Sequence, residues 1–238
     1  MPEHHTLGTL DFLEVNAGSE GSTPRQLLVF VHGTPGSASA FMTYLTDHDM
    51  QQNFHMISVT RPGWVNEEDV KIPELEAQAG ALKPLLERNR SSKGAILMGH
   101  SYGGPVIARA AMDFSELVEG LVFVATTGDP ELSGPRWYNR FAVVIPRFML
   151  GHDLKGANAE IMHLRPQLEA MLPRWRSLQT PAIIIQGDRD RLVNPDNAFF
   201  LEQQLEGNVV EFIWLENEGH FILWERSDLI RDAILTHF

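Results

Sequence analysis

Residues 95–104 read Ala95-Ile96-Leu97-Met98-Gly99-His100-Ser101-Tyr102-Gly103-Gly104. The first four are apolar and predict a buried strand, and Pro105 to Met112 continue as an apolar helix of small residues. A Gly-x-Ser-x-Gly between two such elements leaves its serine on a very tight turn. A side chain at Gly99 or Gly103 would strike the strand or helix beside it, so both positions must be tiny. The turn predicts a strained backbone at Ser101, with the hydroxyl raised above the sheet edge. It also aims the N–H groups and partial positive charge of a helix start at the place where an oxyanion would form. The pattern alone has little specificity; the strand–turn–helix setting gives it weight.

Outward from this turn the chain alternates strand and helix. Leu27 to Val31 is a continuous apolar run, as a strand covered on both faces requires. It leads into His32-Gly33-Thr34-Pro35-Gly36, with a helix expected from Ser37. His55 to Val59 is the next strand and ends at Arg61-Pro62-Gly63-Trp64. Ile72, Leu75, Ala79, Leu82 and Leu86 recur at helical spacing between Lys71 and Asn89, with Pro84 expected to interrupt. Further strands are expected at Leu117 to Ala125, Ala182 to Gln186 and Val209 to Leu215, and a closing helix from Leu223 to Phe238. Residues 4–16 read as a hairpin turning at Gly8, with Leu10, Phe12 and Val15 inward. The sum is an α/β fold with a mostly parallel, doubly wound sheet.

One segment breaks the alternation. Between Thr126 and Thr180 there are two helical patterns and no strand, one carrying Trp137, Phe141, Val144 and Phe148, the other Ile161, Leu164, Leu168 and Met171. Pro146 and Pro166 are expected to interrupt them. The excursion leaves from the strand edge where Ser101 lies, which predicts a helical lid over 126–180 on a core of 1–125 and 181–238.

Composition narrows the chemistry. The 238 residues carry a net charge of −12 and no basic run, which argues against a nucleic-acid partner. There is no cysteine, so neither a disulfide framework nor a thiol nucleophile is available. Met1 to Thr9 has no signal-peptide pattern and no stretch approaches a membrane span, so a cytoplasmic protein without membrane attachment is expected. No His-x-x-x-His or His-Glu-x-x-His occurs, Asp188-Arg189-Asp190 lacks the glycine of a calcium loop, and no Gly-x-Gly-x-x-Gly follows a strand. Neither a metal nor a dinucleotide cofactor is expected. The oligomeric state is not encoded in any pattern.

Over nearly its whole length the chain resembles the α/β-hydrolase fold family, with the motifs in the order serine, acid, histidine. A serine hydroxyl needs a base within hydrogen-bond reach, and the base needs an orienting carboxylate. Of ten histidines, His220 follows a late strand in a Gly-His turn before a final helix, whereas His4, His5, His48, His152 and His237 fall in polar or terminal stretches. The family's Gly-x-x-Asp-x-x-Val pattern selects Asp190 as the acid; Asp188 then reads as a turn residue, and Asp129 is the alternative acid after the preceding strand. By the family's His-Gly-x loop, the N–H groups of Thr34 and Tyr102 would form an oxyanion hole, and His32 would hold that loop. Arg61-Pro62-Gly63 resembles the family's Asp-Arg-x-Gly-x-Gly loop, with Thr60 in place of Asp and Val65 in place of the second Gly.

The resemblance implies a serine hydrolase that cleaves a small carboxylic ester or related acyl bond through an acyl-enzyme. Trp64, Trp137 and Phe141, with Tyr102, are expected to line an apolar pocket. Relatives that are epoxide hydrolases or haloalkane dehalogenases need Asp where this chain has Ser101. The same fold also hosts cofactor-free perhydrolase or oxygenase activities and non-hydrolytic ligand receptors, and these are the alternatives.

Overall fold

The computed structural model describes residues 1–16, 23–66, 70–144 and 151–238, without the side chains of Trp137, Tyr138, Phe141, Val144 and His152. Two antiparallel strands come first, Glu3–Leu7 (β1) and Leu10–Val15 (β2), turning at Gly8 with a φ of 61°. Then follow Gln26–Val31 (β3), Phe54–Thr60 (β4), Ala95–His100 (β5), Val118–Val124 (β6), Ala182–Gly187 (β7) and Val209–Leu215 (β8). They form one sheet in the order β1-β2-β4-β3-β5-β6-β7-β8, antiparallel at β1–β2 and β2–β4 and parallel elsewhere.

Helices connect the strands: Met42–Leu45 (α1), His48–Asn53 (α2), Leu75–Leu86 (α3), Gly103–Asp113 (α4), Trp137–Val144 (α5), His152–Trp175 (α6), Asn197–Gln204 (α7), Ile222–Glu225 (α8) and Ser227–His237 (α9). Alternate residues of each strand serve opposite faces. Leu27, Val29 and Leu97 pack with Leu82, Val106, Leu168 and Trp175, while Leu28, Phe30 and Met98 pack with Phe41, Tyr44 and Ile234. The loops leaving β3 to β8 share the carboxyl edge of the parallel strands. That edge therefore collects His32, Arg61, Ser101, Thr126, Asp190 and His220.

Two expected breaks and one expected continuous helix differ from the structure. Pro84 and Pro166 lie inside α3 and α6, which run through them. A proline inside a helix costs about 3 kcal/mol, but Leu82, Leu85 and Leu86 around Pro84 are buried and each gains about 1.5–3 kcal/mol. The closing helix, conversely, breaks at Arg226 into α8 and α9. The helix after the His32 loop starts as a 3₁₀ turn, Ala38–Phe41. Pro146 and Phe148 lie outside the described residues. Among the described residues no helix is long and apolar enough to cross a membrane.

Two glycines make the packing testable. A Cβ at Gly99 would stand 2.6 Å from the Gly103 carbonyl oxygen, whereas one at Gly80, exposed on α3, would meet nothing within 4 Å. In urea unfolding, Gly80→Ala should gain about 0.5–1 kcal/mol, and Gly99→Ala should lose about 3 kcal/mol. Equal effects of the two would contradict this packing.

Candidate active site

Ser101 has a φ of 54°, a left-handed conformation that side chains rarely adopt. Such strain costs on the order of 1–3 kcal/mol and persists only where the surroundings over-determine the backbone. Here its N–H donates to Val124 O at 3.0 Å, and its carbonyl accepts from Gly104 N–H at 3.1 Å and the Thr126 hydroxyl at 2.7 Å. Glycines close the rest. A Cβ at Gly33 would lie 2.9 Å from Ser101 Cβ, one at Gly103 would overlap Val31 O, and one at Gly104 would overlap Thr126 Oγ1. Directly after Ser101 and Tyr102, α4 begins, so the serine stands at the positive end of a helix.

The β7 and β8 loops bring a histidine and an aspartate together. His220 Nδ1 lies 2.7 Å from Asp190 Oδ2. Asp190 Oδ1 accepts from the N–H groups of Leu192 and Val193 at 2.8 and 2.9 Å. Burial opposes the charge on Asp190, but the His220 contact and these N–H groups hold its carboxyl below the usual carboxylate range. A carboxylate accepts, so His220 Nδ1–H is the donor in this bond. Two crosslinks fix the loops: Arg189 N–H donates to Glu218 O at 2.9 Å, and Asn217 N–H to Asp188 Oδ1 at 2.7 Å. The Asp188 carboxylate is thus spent on the β8 loop, not on capping its own turn. The Asp129 carboxylate accepts from Glu131 N–H at 2.8 Å, in a loop held by Asn197.

Ser101, Tyr102, Thr34 and His220 line one cavity of about 430 Å³, together with Leu132, Ala142, Leu154, Ala157, Ile161 and Val193. Its wall is therefore built partly by the helical segment between β6 and β7. A larger groove, about 630 Å³, lies at the opposite sheet edge around Arg25, Gln52 and Lys93, away from Ser101.

The expected pocket residues divide. Tyr102 lines the cavity, but Trp64 does not: its indole N–H donates to Glu160 Oε1 at 2.9 Å, and the Lys71 ammonium lies 4.1 Å from its ring centroid. The side chains of Trp137 and Phe141 lie outside the description. Ile161 faces the cavity, while Leu164, Leu168 and Met171 join the core under the sheet.

Residue patterns missed a buried ion pair. Arg61 Nη1 and Nη2 donate to Glu160 Oε1 and Oε2 at 2.7 and 3.0 Å, with both side chains buried. One signal was present: Glu160 falls on the apolar stripe of α6 with Ala157, Leu164, Leu168 and Met171. A carboxylate there demands a partner.

Residues 28–233 match the model of the Alpha/beta hydrolase family. The chain belongs to the alpha/beta hydrolase family. A relative of this hydrolase, the uncharacterized hydrolase YugF of Bacillus subtilis (strain 168), is 24% identical over 265 residues, covering 95% of this chain and 94% of the relative. The enol-lactonase from Burkholderia xenovorans LB400 superposes with a TM-score of 0.73 at 15% identity, covering 98% of each chain. The monoacylglycerol lipase of Paleococcus ferrophilus gives 0.72 at 14% identity, covering 94% of this chain and 96% of its own. At these identities the likeness is one of fold.

Two further histidines of the hydrolase are held neutral. Burial, then the Arg61 charge, pushes His32 well below the usual imidazole value; burial, then the His220 charge, pushes His100 down to about 3. Unfolded, such a group titrates near 6.5. As pH falls below that value the unfolded chain takes up protons that the folded one refuses, so stability falls by about 1.4 kcal/mol per pH unit for each group until the folded group also protonates. His100→Gln should make unfolding free energy between about pH 6 and 5 shallower by about that slope. An unchanged slope would contradict a neutral buried His100.

Proposed function

We propose that this protein is a serine hydrolase of small carboxylic esters. The observation that carries the reading is Ser101, at φ 54° on a helix start, sharing a cavity with a His220 bonded to Asp190. His220 Nε2 takes the hydroxyl proton as Ser101 Oγ attacks the ester carbonyl. The N–H groups of Thr34 and Tyr102 receive the oxyanion, each worth roughly 3–4 kcal/mol in such sites. The tetrahedral adduct collapses, His220 returns the proton to the departing alkoxide, and Ser101 keeps the acyl group. Water, deprotonated by the same nitrogen, then releases the acid and restores Ser101. Asp190 orients the imidazole and faces its developing charge.

The lactonase and the lipase among the structural neighbours support ester chemistry. In the same reading residues 126–180 form a lid on a core of 1–125 and 181–238. The apolar wall of Leu132, Leu154 and Ile161 suits an aliphatic acyl chain.

Ser101→Ala should lower hydrolysis of p-nitrophenyl butyrate by about 10⁴–10⁶-fold with the melting profile retained; near wild-type turnover would end the proposal. Asp190→Asn should lose about 10⁴-fold, because an amide can select the wrong imidazole tautomer, and Asp129→Asn far less. The reverse ranking would move the acid to the β6 loop. Across an ester series, kcat/KM should rise roughly fourfold per methylene, the equivalent of about 0.8 kcal/mol, until the cavity is full and then fall. Ile161→Ala should move that optimum to longer chains; a flat profile in both proteins would remove the segment as the specificity element.

A further inference from the structure

Arg61 takes no part in the steps above, yet it is buried against the loop that would supply an oxyanion donor. Each of a guanidinium's five N–H groups can donate once, and all are engaged. Nε donates to His32 O at 3.0 Å; Nη1 donates to Gln78 Oε1 at 2.5 Å and Glu160 Oε1 at 2.7 Å; Nη2 donates to Gly33 O at 2.8 Å and Glu160 Oε2 at 3.0 Å. His32 Nδ1–H donates to the same Gly33 oxygen at 2.7 Å. The central carbon of the guanidinium also lies over the Tyr102 ring, 4.8 Å from its centroid.

Gly33 C=O and Thr34 N–H belong to one peptide unit. Such a unit is planar and, when trans, directs its C=O and N–H to opposite sides. Holding Gly33 O on the Arg61 side therefore sets the direction of Thr34 N–H on the other, and Thr34 lines the cavity with Ser101. Charge-assisted bonds to the oxygen also polarise the unit and strengthen its N–H as a donor. Glu160 belongs to α6, so the helical segment between β6 and β7 holds the guanidinium in place.

We propose that Arg61 is a positioning residue for the oxyanion hole and that Glu160 makes the seating of α6 a condition for it. This rests on the serine-hydrolase reading and on Thr34 N–H as a donor. Burial works against the Glu160 charge, but Arg61, with Trp64 N–H, holds its carboxyl below the usual range, so the pair is ionised at neutral pH.

The test separates transition-state from ground-state binding. Full-length wild type, Arg61→Lys, Glu160→Gln and the double variant Arg61→Met/Glu160→Leu would be assayed with p-nitrophenyl butyrate. Each would also be titrated with 1,1,1-trifluoro-2-hexanone, whose serine adduct carries an oxyanion, and with the corresponding alcohol, which forms none. The double variant replaces the buried pair with apolar groups, a change that folds often tolerate.

In folded variants kcat should fall by about 10–100-fold with KM within about threefold, as expected when a donor is misplaced. The ketone should weaken in the same proportion, with alcohol binding unchanged. A folded variant with wild-type ketone affinity, or with ketone and alcohol weakened together, would overturn the positioning role alone. If no variant folds, the pair serves stability and the proposal falls. A wild type that binds the ketone no better than the alcohol would instead overturn the serine-hydrolase reading, and the proposal with it.

Discussion

The contact between Gly99 and Gly103 is the constraint on which the rest depends. With no side chain at either position, β5 and α4 approach until the Gly103 carbonyl occupies the space a Cβ at 99 would need. That closeness forces the residue between them into a left-handed backbone, and the residue is Ser101. The bonds from Val124 and Thr126 hold it there against its own preference. The parallel sheet supplies those partners, because β6 lies beside β5 and delivers both at the same edge.

From this constraint the site is assembled by loops that the sheet has already aligned. Parallel strands end at one edge, so a serine after β5, an acid after β7 and a histidine after β8 become neighbours although 119 residues separate Ser101 from His220. The backbone crosslink between Arg189 and Glu218 then fixes the acid and histidine loops relative to each other. On the other flank, Arg61 joins the loops after β3 and β4 to α6. Removing one partner of such a buried pair costs roughly 3–5 kcal/mol because it strands the other charge, so Arg61 and Glu160 are bound to each other's presence.

Much of this was legible in the residues, for physical reasons. A strand covered on both faces must be apolar throughout, and Leu27 to Val31 and Ala182 to Ile185 are; such runs have few other readings in a chain of this length. Ser101 was legible because two glycines at fixed spacing between strand and helix leave one conformation. The prolines misled because a local penalty was weighed without the burial around it. Arg61 and Glu160 escaped because an ion pair spanning 99 residues leaves no local pattern, and a lone Glu in a helix looks solvated until its face is known. Trp64 was assigned to the pocket as a large apolar ring, but its N–H is drawn to Glu160, a partner equally invisible in sequence.

Labelling with a fluorophosphonate tests Ser101 as the proposed nucleophile most directly. Intact mass followed by peptide mapping should show one adduct per chain, on Ser101, and none after the protein is unfolded before exposure. An adduct on another residue, or no adduct on the folded chain, would contradict it.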